Sequence, residues 1–542
     1  MGIGQIAVAS EIATEGEFDA VRTEVLWRRL IGVVDEASAT LVRSAFSTVV
    51  RESDDFSVVI TDETGRLLAQ GHKSIPSFIG SLPRTVEYFR TVFGDDLADG
   101  DILITNDPWW GTGHLADISL GMPIFHQGRL VAFVASTAHA PDIGGRSGAQ
   151  RIADVHEEGF QIPPLKLSRA GVLDNAILAL LAKNVRAPEE VLGDLHGQMA
   201  ALHLVRRRLM TLLTDWRLSD LNRFAEASCI RTDTAVRAAL AEMPKGSWSA
   251  EEETDGMDGV PIRLKAKVTI ESDLVTVDYS GSSDQIPAAL NVAWCYTFAF
   301  TAYALKCILD PESPNNDGSQ KAIKLLAPEG SIVNHVWPYS GGNRALVGHY
   351  LPALVLRALA EAVPERIIAP TGSPIWSFLL RGQREDGSRF ALKTFFNGGM
   401  GAGAHGDGEA ALSWPSNVSS TPVGVIEQKA PIRVLHRRIR RGSGGVGNHR
   451  GGDGLEQAHL LLEGGPYSIG FNAERTRAAA QGILGGGAGA CGAVTINGTA
   501  IDIKNSPFNL KPGDVVGMAT PGGGGYGAAW TAQYTMFDER RG

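Results

Sequence analysis

Asn106-Asp107-Pro108-Trp109-Trp110-Gly111-Thr112-Gly113-His114-Leu115-Ala116-Asp117 is the stretch from which the chain is best read, together with Ala138-His139-Ala140-Pro141-Asp142-Ile143-Gly144-Gly145 downstream. Two histidines and several carboxylates fall among turn-forming glycines and prolines. Imidazole nitrogen and carboxylate oxygen together form the donor set of a Lewis-acidic divalent metal. His114 and Asp117 stand three residues apart, and His139 follows Asp117 by 22. Spacing alone leaves a second reading open, because Gly-rich loops also carry His and Asp for turn hydrogen bonds. Asp107 and Asp142 are the candidate catalytic carboxylates. They could equally be further ligands, orienters of the histidines or plain turn caps.

Working outward, β-rich runs around Ile102-Leu103-Ile104 and Leu130-Val131-Ala132-Phe133-Val134 flank the cluster, which places the candidate ligands at strand ends and on loops. Upstream, Val25, Leu26, Leu30, Val33, Val34, Ala37, Leu41, Val42 and Ala45 recur at helical spacing and predict one amphipathic helix over residues 21–50. Phe56 to Thr61 then reads as a strand, joined through Asp62-Glu63-Thr64-Gly65 to a second strand at Arg66-Leu67-Leu68-Ala69.

Downstream, residues 174–242 are predominantly helical, with Leu195, Met199, Leu202, Val205, Leu209 and Leu212 on one stripe. Residues 262–270 alternate with period two, and Val275 to Tyr279 is a plausible partner strand. The longest apolar run, residues 288–309, reads as a buried core helix with Pro287 as its first residue. Asn291 and Lys306 interrupt it, which argues against a membrane span. Another helix is expected over 351–362.

Glycine makes up 64 of 542 residues, about 12% against a usual ~7%, and the excess lies after residue 398. Because Val, Ile and Leu persist between those glycines, the region reads as turn-rich β structure rather than as disorder. The expected class is therefore a multidomain α+β protein with mixed β-sheets, a helical segment and a Gly-rich β C-terminal region. Its units are an N-terminal α+β region with the candidate metal site (1–170), a helical segment (171–245), a middle α+β region (246–395) and the Gly-rich β region (396–542).

A net charge of −10 argues against a nucleic-acid surface, which needs clustered cations. The one basic run, His436-Arg437-Arg438-Ile439-Arg440-Arg441, reads as a solvated strand or a contact with an acidic partner. Cys229, Cys295, Cys307 and Cys491 show no C-x-x-C spacing, which fits a reducing cytoplasm. Glu11, Glu15, Glu17 and Asp19 deny the N-terminus the basic-then-apolar order of a signal peptide. Gly442-Ser443-Gly444-Gly445-Val446-Gly447 matches G-x-G-x-x-G but lacks a strand-then-helix setting, so it reads as turns; no P-loop and no G-x-S-x-G occurs. Pro521-Gly522-Gly523-Gly524-Gly525-Tyr526-Gly527 could cradle an anion on its N–H groups, or be a tight turn against another subunit's backbone.

An ordered set of segments resembles the hydantoinase B/oxoprolinase family, which includes the corresponding subunits of acetone and acetophenone carboxylases. The set includes Arg51 to Ser57, the Asn106–Asp117 stretch, Ala138-His139 with Asp142 to Gly145, and Glu158-Gly159-Phe160-Gln161-Ile162-Pro163-Pro164. It continues through Asn184-Val185-Arg186, Val277 to Gly281, Pro314-Asn315-Asn316, Arg450-Gly451-Gly452 and the Pro521 glycine tail.

The resemblance implies an ATP-dependent hetero-oligomer acting on a small molecule. A hydantoinase A-type subunit of actin-like ATPase fold activates the substrate oxygen or bicarbonate, and the B-type subunit holds a divalent metal (Zn, Mn or Fe). In the carboxylase branch a His-x-x-Asp pair and a later His bind the metal, and His114, Asp117 and His139 match that pattern. What it implies first is opening of a cyclic amide such as a hydantoin, oxoproline or lactam. Ketone carboxylation and a non-catalytic structural role are the alternatives. The chain departs from the family at Phe78, where a histidine is common, and at Ala140, where a second histidine is. It also departs at Gly424 and Gly442, where carboxylates are common. These departures suggest an altered substrate, apolar or aromatic and helped by Trp109 and Trp110, or partial degeneration.

Overall fold

The computed structural model describes residues 18–146, 151–372 and 375–529. Glu11, Glu15 and Glu17 of the N-terminal reading lie outside them. A seven-stranded antiparallel sheet anchors the N-terminal part. Its order is Leu67–Gln70, Phe56–Asp62, Arg129–His139, Asp117–His126, Ile102–Thr105, Leu165–Arg169, Val172–Leu173. Alternation along the strands buries both faces. Val58 and Ile60 join the large apolar cluster under the helices Ala20–Ser44 and Pro188–Asp215, while Val59 faces Leu82, Val86 and Phe89 of the helix Ser81–Phe93. Leu195, Leu202, Val205 and Leu209 are buried in the first of these clusters, as their stripe requires.

The hairpin Asp117–His126/Arg129–His139 turns on Gln127 (φ 50°) and Gly128 (φ 77°), with both residues at positive φ. Such a two-residue turn matches the right-handed twist of the strands it joins.

Two sequence-based helix expectations need correction. The expected 21–50 helix ends at Ser44, and a separate one-turn helix spans Thr48–Arg51. The break is imposed from afar: the Asp194 carboxylate accepts the Phe46 and Ser47 N–H groups at 2.7 and 3.0 Å, and the Ser47 hydroxyl caps the next turn. Apolar spacing runs unbroken through that site, so periodicity has no view of it. The 288–309 helix starts instead at Trp294. Buried Asn291 holds the preceding segment in coil, donating to the carbonyls of Ile286, Ala288 and Ser340 and accepting the Ile286 N–H. Among the described residues no helix is long and apolar enough to cross a membrane.

The helix Trp294–Leu309 packs with Tyr350–Ala358 over a four-stranded sheet, ordered Ile323–Leu326, Val275–Asp278, Arg263–Ile270, Gly246–Glu253. The pair Val275–Asp278/Ile323–Leu326 is parallel, so the sheet is mixed. A third apolar cluster, with Trp376, Phe378, Phe396, Tyr467 and Phe471, fills the space between a four- and a five-stranded sheet drawn from residues 376–519. The basic run lies on the strand Ile432–Arg440.

The late glycines close-pack backbone on backbone. Gly523 N–H donates to the Gly452 carbonyl, Gly524 to Pro370 and Gly525 to Gly487, each at 2.8–2.9 Å. A Cβ at Gly523 would sit 2.0 Å from the Met400 carbonyl oxygen. The tail's N–H groups are therefore spent within this chain, which corrects both the anion-cradle and the foreign-backbone readings.

Candidate metal centre

His139 closes the strand Arg129–His139 and Asp117 opens Asp117–His126, and the antiparallel register pairs them directly. The 22-residue spacing is thus the length of one hairpin folded back on itself. His114 reaches the same point from the loop before Asp117, where Gly113 (φ 95°) lets the chain pass Arg344; a Cβ there would lie 2.7 Å from Arg344 Cδ. One donor atom each from His114, Asp117 and His139 falls within 4.8 Å of the others, and all three residues are buried.

A hydrogen bond to a backbone carbonyl fixes the tautomer of His114. His114 Nδ1 donates to the Gly342 carbonyl at 3.1 Å, which leaves the Nε2 lone pair facing inward. Nε2 is 2.7 Å from Asp117 Oδ1, yet it has no aligned hydrogen-bond partner. Asp117 Oδ1 also lies 2.9 Å from His139 Nδ1. Its other oxygen, Oδ2, accepts from Thr112 Oγ1 and, at 2.8 Å, from Arg344. Arg344 is fixed in turn by the Thr112 carbonyl and by the Tyr296 ring, 4.4 Å from its guanidinium carbon. Lys393, on the strand Arg389–Phe396, places Nζ 2.7 Å from His139 Nε2.

Electrostatics keep both rings neutral. Burial, reinforced by Lys393, pushes His139 down to about 4, and burial with Arg344 lowers His114. Burial works to raise Asp117, but His114 and Arg344 overcome it and hold the carboxylate well below its usual range. Neutral imidazoles and an ionised carboxylate are the protonation states that metal ligation requires. The orphaned inward-facing Nε2 and the mixed N/O donor set fit a divalent ion such as zinc, manganese or iron.

The cluster lines a cavity of about 80 Å³, several times the ~10–15 Å³ that one water needs. Asp55, Tyr296, Asn343, Arg344, His349, Lys393 and Asn472 also line it. It shares His139, Lys393, Asn343 and Asn472 with a second cavity of about 50 Å³, which Asp142 and Glu158 also line. The four residues Asp55, Arg344, Lys393 and Asn472 were not singled out from the sequence. Asp55 sits inside the recognised Arg51–Ser57 segment and could have been flagged. Lys393 is a lone cation on an ordinary strand and carries no local signal.

The candidate catalytic carboxylates lie elsewhere. Asp107 accepts the Trp109 and Trp110 N–H groups at 2.9 and 3.4 Å, which is a turn cap, and does not line the cavity. Asp142 lines the second cavity but is engaged by Arg186 at 2.8 Å and approached by Arg381 at 3.7 Å. Trp109 donates to the His335 carbonyl and Trp110 stacks on Tyr88, so neither helps to form the cavity. Of the four departures, Phe78 and Ala140 line the two cavities, whereas Gly424 and Gly442 line neither.

The family model described as hydantoinase B/oxoprolinase matches residues 19–529. An uncharacterised protein of Methanocaldococcus jannaschii is 30% identical, over 96% of this chain and 93% of its own length. A putative D-/L-hydantoinase B-type subunit from a Pseudomonas species is 27% identical, over 94% and 90%. The crystal structure of an ATP-dependent caprolactamase from Pseudomonas jessenii superimposes with a TM-score of 0.85 at 25% identity, covering 94% of this chain and 91% of that one. With the match running nearly end to end, this chain belongs to the hydantoinase B/oxoprolinase family.

Proposed function

We propose that this chain is the metal-binding subunit of an ATP-dependent amidohydrolase that opens a cyclic amide, working in the cytoplasm with an actin-like ATPase partner. The observation that carries the reading is the convergence of buried His114, Asp117 and His139 in the lining of a cavity, in a chain of this family. Relatives named as a hydantoinase subunit and a caprolactamase support the amide over other substrates.

Amide carbonyls resist water, so the partner's ATP turns the oxygen into a phosphate leaving group. The three residues would hold a divalent ion that supplies Lewis acidity and makes water a stronger nucleophile near neutral pH. The remaining chemistry belongs to the protein. Gly342 fixes the tautomer of His114, and Arg344 and Thr112 fix the carboxylate of Asp117. Lys393 lies against His139 and brings a cation to the wall where negative charge develops. Asp142 acts at one remove, holding Arg186 at 2.8 Å with Arg381 at 3.7 Å.

The test is reconstitution of the complex with ATP and either hydantoin or lactam, or acetone or acetophenone with labelled bicarbonate. Ring opening dependent on ATP supports the proposal, and fixation of label into acetone or acetophenone overturns it. A His114→Ala chain that binds metal as well as the parent would sink the ligand assignment.

A further inference from the structure

Trp110 takes no part in the cavity, yet it belongs to a ladder of ring contacts outside it. Tyr88 stacks on Trp110 with centroids 4.8 Å apart, and Trp294 stacks on Phe298 at 5.2 Å. The Arg84 guanidinium carbon joins the two pairs, 4.8 Å from the Trp110 ring and 4.9 Å from the Trp294 ring. Two helices and a turn build the ladder. Arg84 and Tyr88 stand four residues apart on Ser81–Phe93, as do Trp294 and Phe298 on Trp294–Leu309, which puts each pair on one helix face. The turn that carries Trp110 supplies the remaining ring.

All five side chains are half-buried rather than covered. Among the described residues Arg84 makes no ion pair and no hydrogen bond, and its Nε is buried without a partner. Two indoles therefore hold a guanidinium whose donors go unused. An arginine fixed in this way gives up little freedom on meeting a carboxylate, and Arg, Trp and Tyr are the residues that dominate protein interfaces. The stacked ring faces are spent on one another, so the ladder is no slot for a flat ligand. A two-fold pairing of this patch with itself would set Arg84 near its own copy, between chains that each carry a net charge of −10. A different chain that offers a carboxylate fits better.

We infer that the face formed by Tyr88, Trp110, Arg84, Trp294 and Phe298 docks the partner ATPase subunit, with Arg84 gripping a carboxylate on it. The inference rests on the reading of this chain as one subunit of an ATP-dependent complex. The face also adjoins the metal centre through the chain. Trp110 stands four residues before His114, and Trp294 two before Tyr296, whose ring packs on the Arg344 that binds Asp117.

Sedimentation and calorimetry of the full chain with the purified ATPase subunit test this. Arg84→Glu should weaken assembly at least about thirtyfold, the scale of an interface hot spot. Arg84→Lys should weaken it about fivefold or more, because it keeps the charge but loses the planar fork. Metal content should be unchanged in both and reports the fold; where Arg84→Glu has lost metal, Arg84→Lys carries the test. Arg433→Ala, on the exposed basic strand Ile432–Arg440, should stay within about twofold of wild type. Wild-type assembly by Arg84→Glu overturns the inference, as does failure of the wild-type chain to bind the ATPase subunit. A loss at Arg433→Ala alone moves the acidic contact to the basic strand and overturns it too. So does a dimer of the chain alone that Arg84→Glu dissociates, which would make a second copy the occupant. Ring opening separates the two levels. If the complex opens a lactam with ATP and ignores Arg84→Glu, the amidohydrolase reading stands and the inference fails. If it assembles through Arg84 but opens no cyclic amide, the inference stands and the amidohydrolase reading fails.

Discussion

Lowering the pH from 7.5 to 5.0 should leave the metal affinity of the folded chain nearly unchanged, and the reason is the dry setting of His139. A histidine at its ordinary 6.5 would be only about 3% neutral at pH 5, which weakens any metal that needs its lone pair about thirtyfold. Burial and Lys393 hold His139 at about 4. At pH 5 it then stays about 90% neutral, a loss of about a tenth. His114 is lowered in the same direction and Asp117 is held ionised, so neither adds a penalty.

The same shift has the opposite consequence for the fold. The folded-state value lies below the unfolded one, so the associated stability is full above 6.5 and is lost as the pH falls from 6.5 toward 4. At pH 5 the loss is about 2 kcal/mol for this one residue. Zinc titration by calorimetry at both pH values, with near-ultraviolet circular dichroism to confirm a folded sample, measures the first effect. A fall in affinity of more than about tenfold would refute the argument, because it would mean that an imidazole of the cluster is titrating as though in water.

Two further predictions concern the scaffold. His459 is buried against Phe378 with neither ring nitrogen partnered, and burial pushes it to about 4. His459→Leu should remove about 2 kcal/mol of acid sensitivity between pH 7.5 and 5, read as hydrogen-exchange protection on the strand Gly454–Leu461; equal pH slopes in the two proteins would contradict this. Gly523→Ala should cost at least about 3 kcal/mol, seen as a lowered melting temperature, because its Cβ would meet the Met400 carbonyl at 2.0 Å. Gly498→Ala, with open space but φ 77°, should cost only about 1 kcal/mol, and similar losses at the two sites would refute the packing argument.

What was legible in the sequence was local. The His114/Asp117/His139 pattern could be read because a hairpin register and a short loop bring those residues together, and both are encoded within 26 residues. The strands around it and the stripe of the helix Pro188–Asp215 followed from period alone. What stayed hidden depended on distant partners. Asp194 ends a helix nearly 150 residues upstream, and Asn291 stops another from starting at Pro287 through bonds that include the Ser340 carbonyl. Arg344 and Lys393 reach the cluster from other parts of the chain. Trp109 and Trp110 were the conspicuous aromatics beside the motif, but Phe78 and Phe395 line the cavity, because turn geometry sends the tryptophans to other neighbours.

The backbone-on-backbone packing of the late glycines bears on how mutational surveys of this protein should be read. At Gly523 or Gly399 every substitution adds atoms where a carbonyl already stands, so tolerance there will be as low as at His114. A saturation map scored only by survival of activity would mark both sets alike and make the glycine region look like a second reactive centre. Scoring the amount of folded protein separately from turnover per folded molecule will split them, with the glycine variants losing the first and the histidine variants the second.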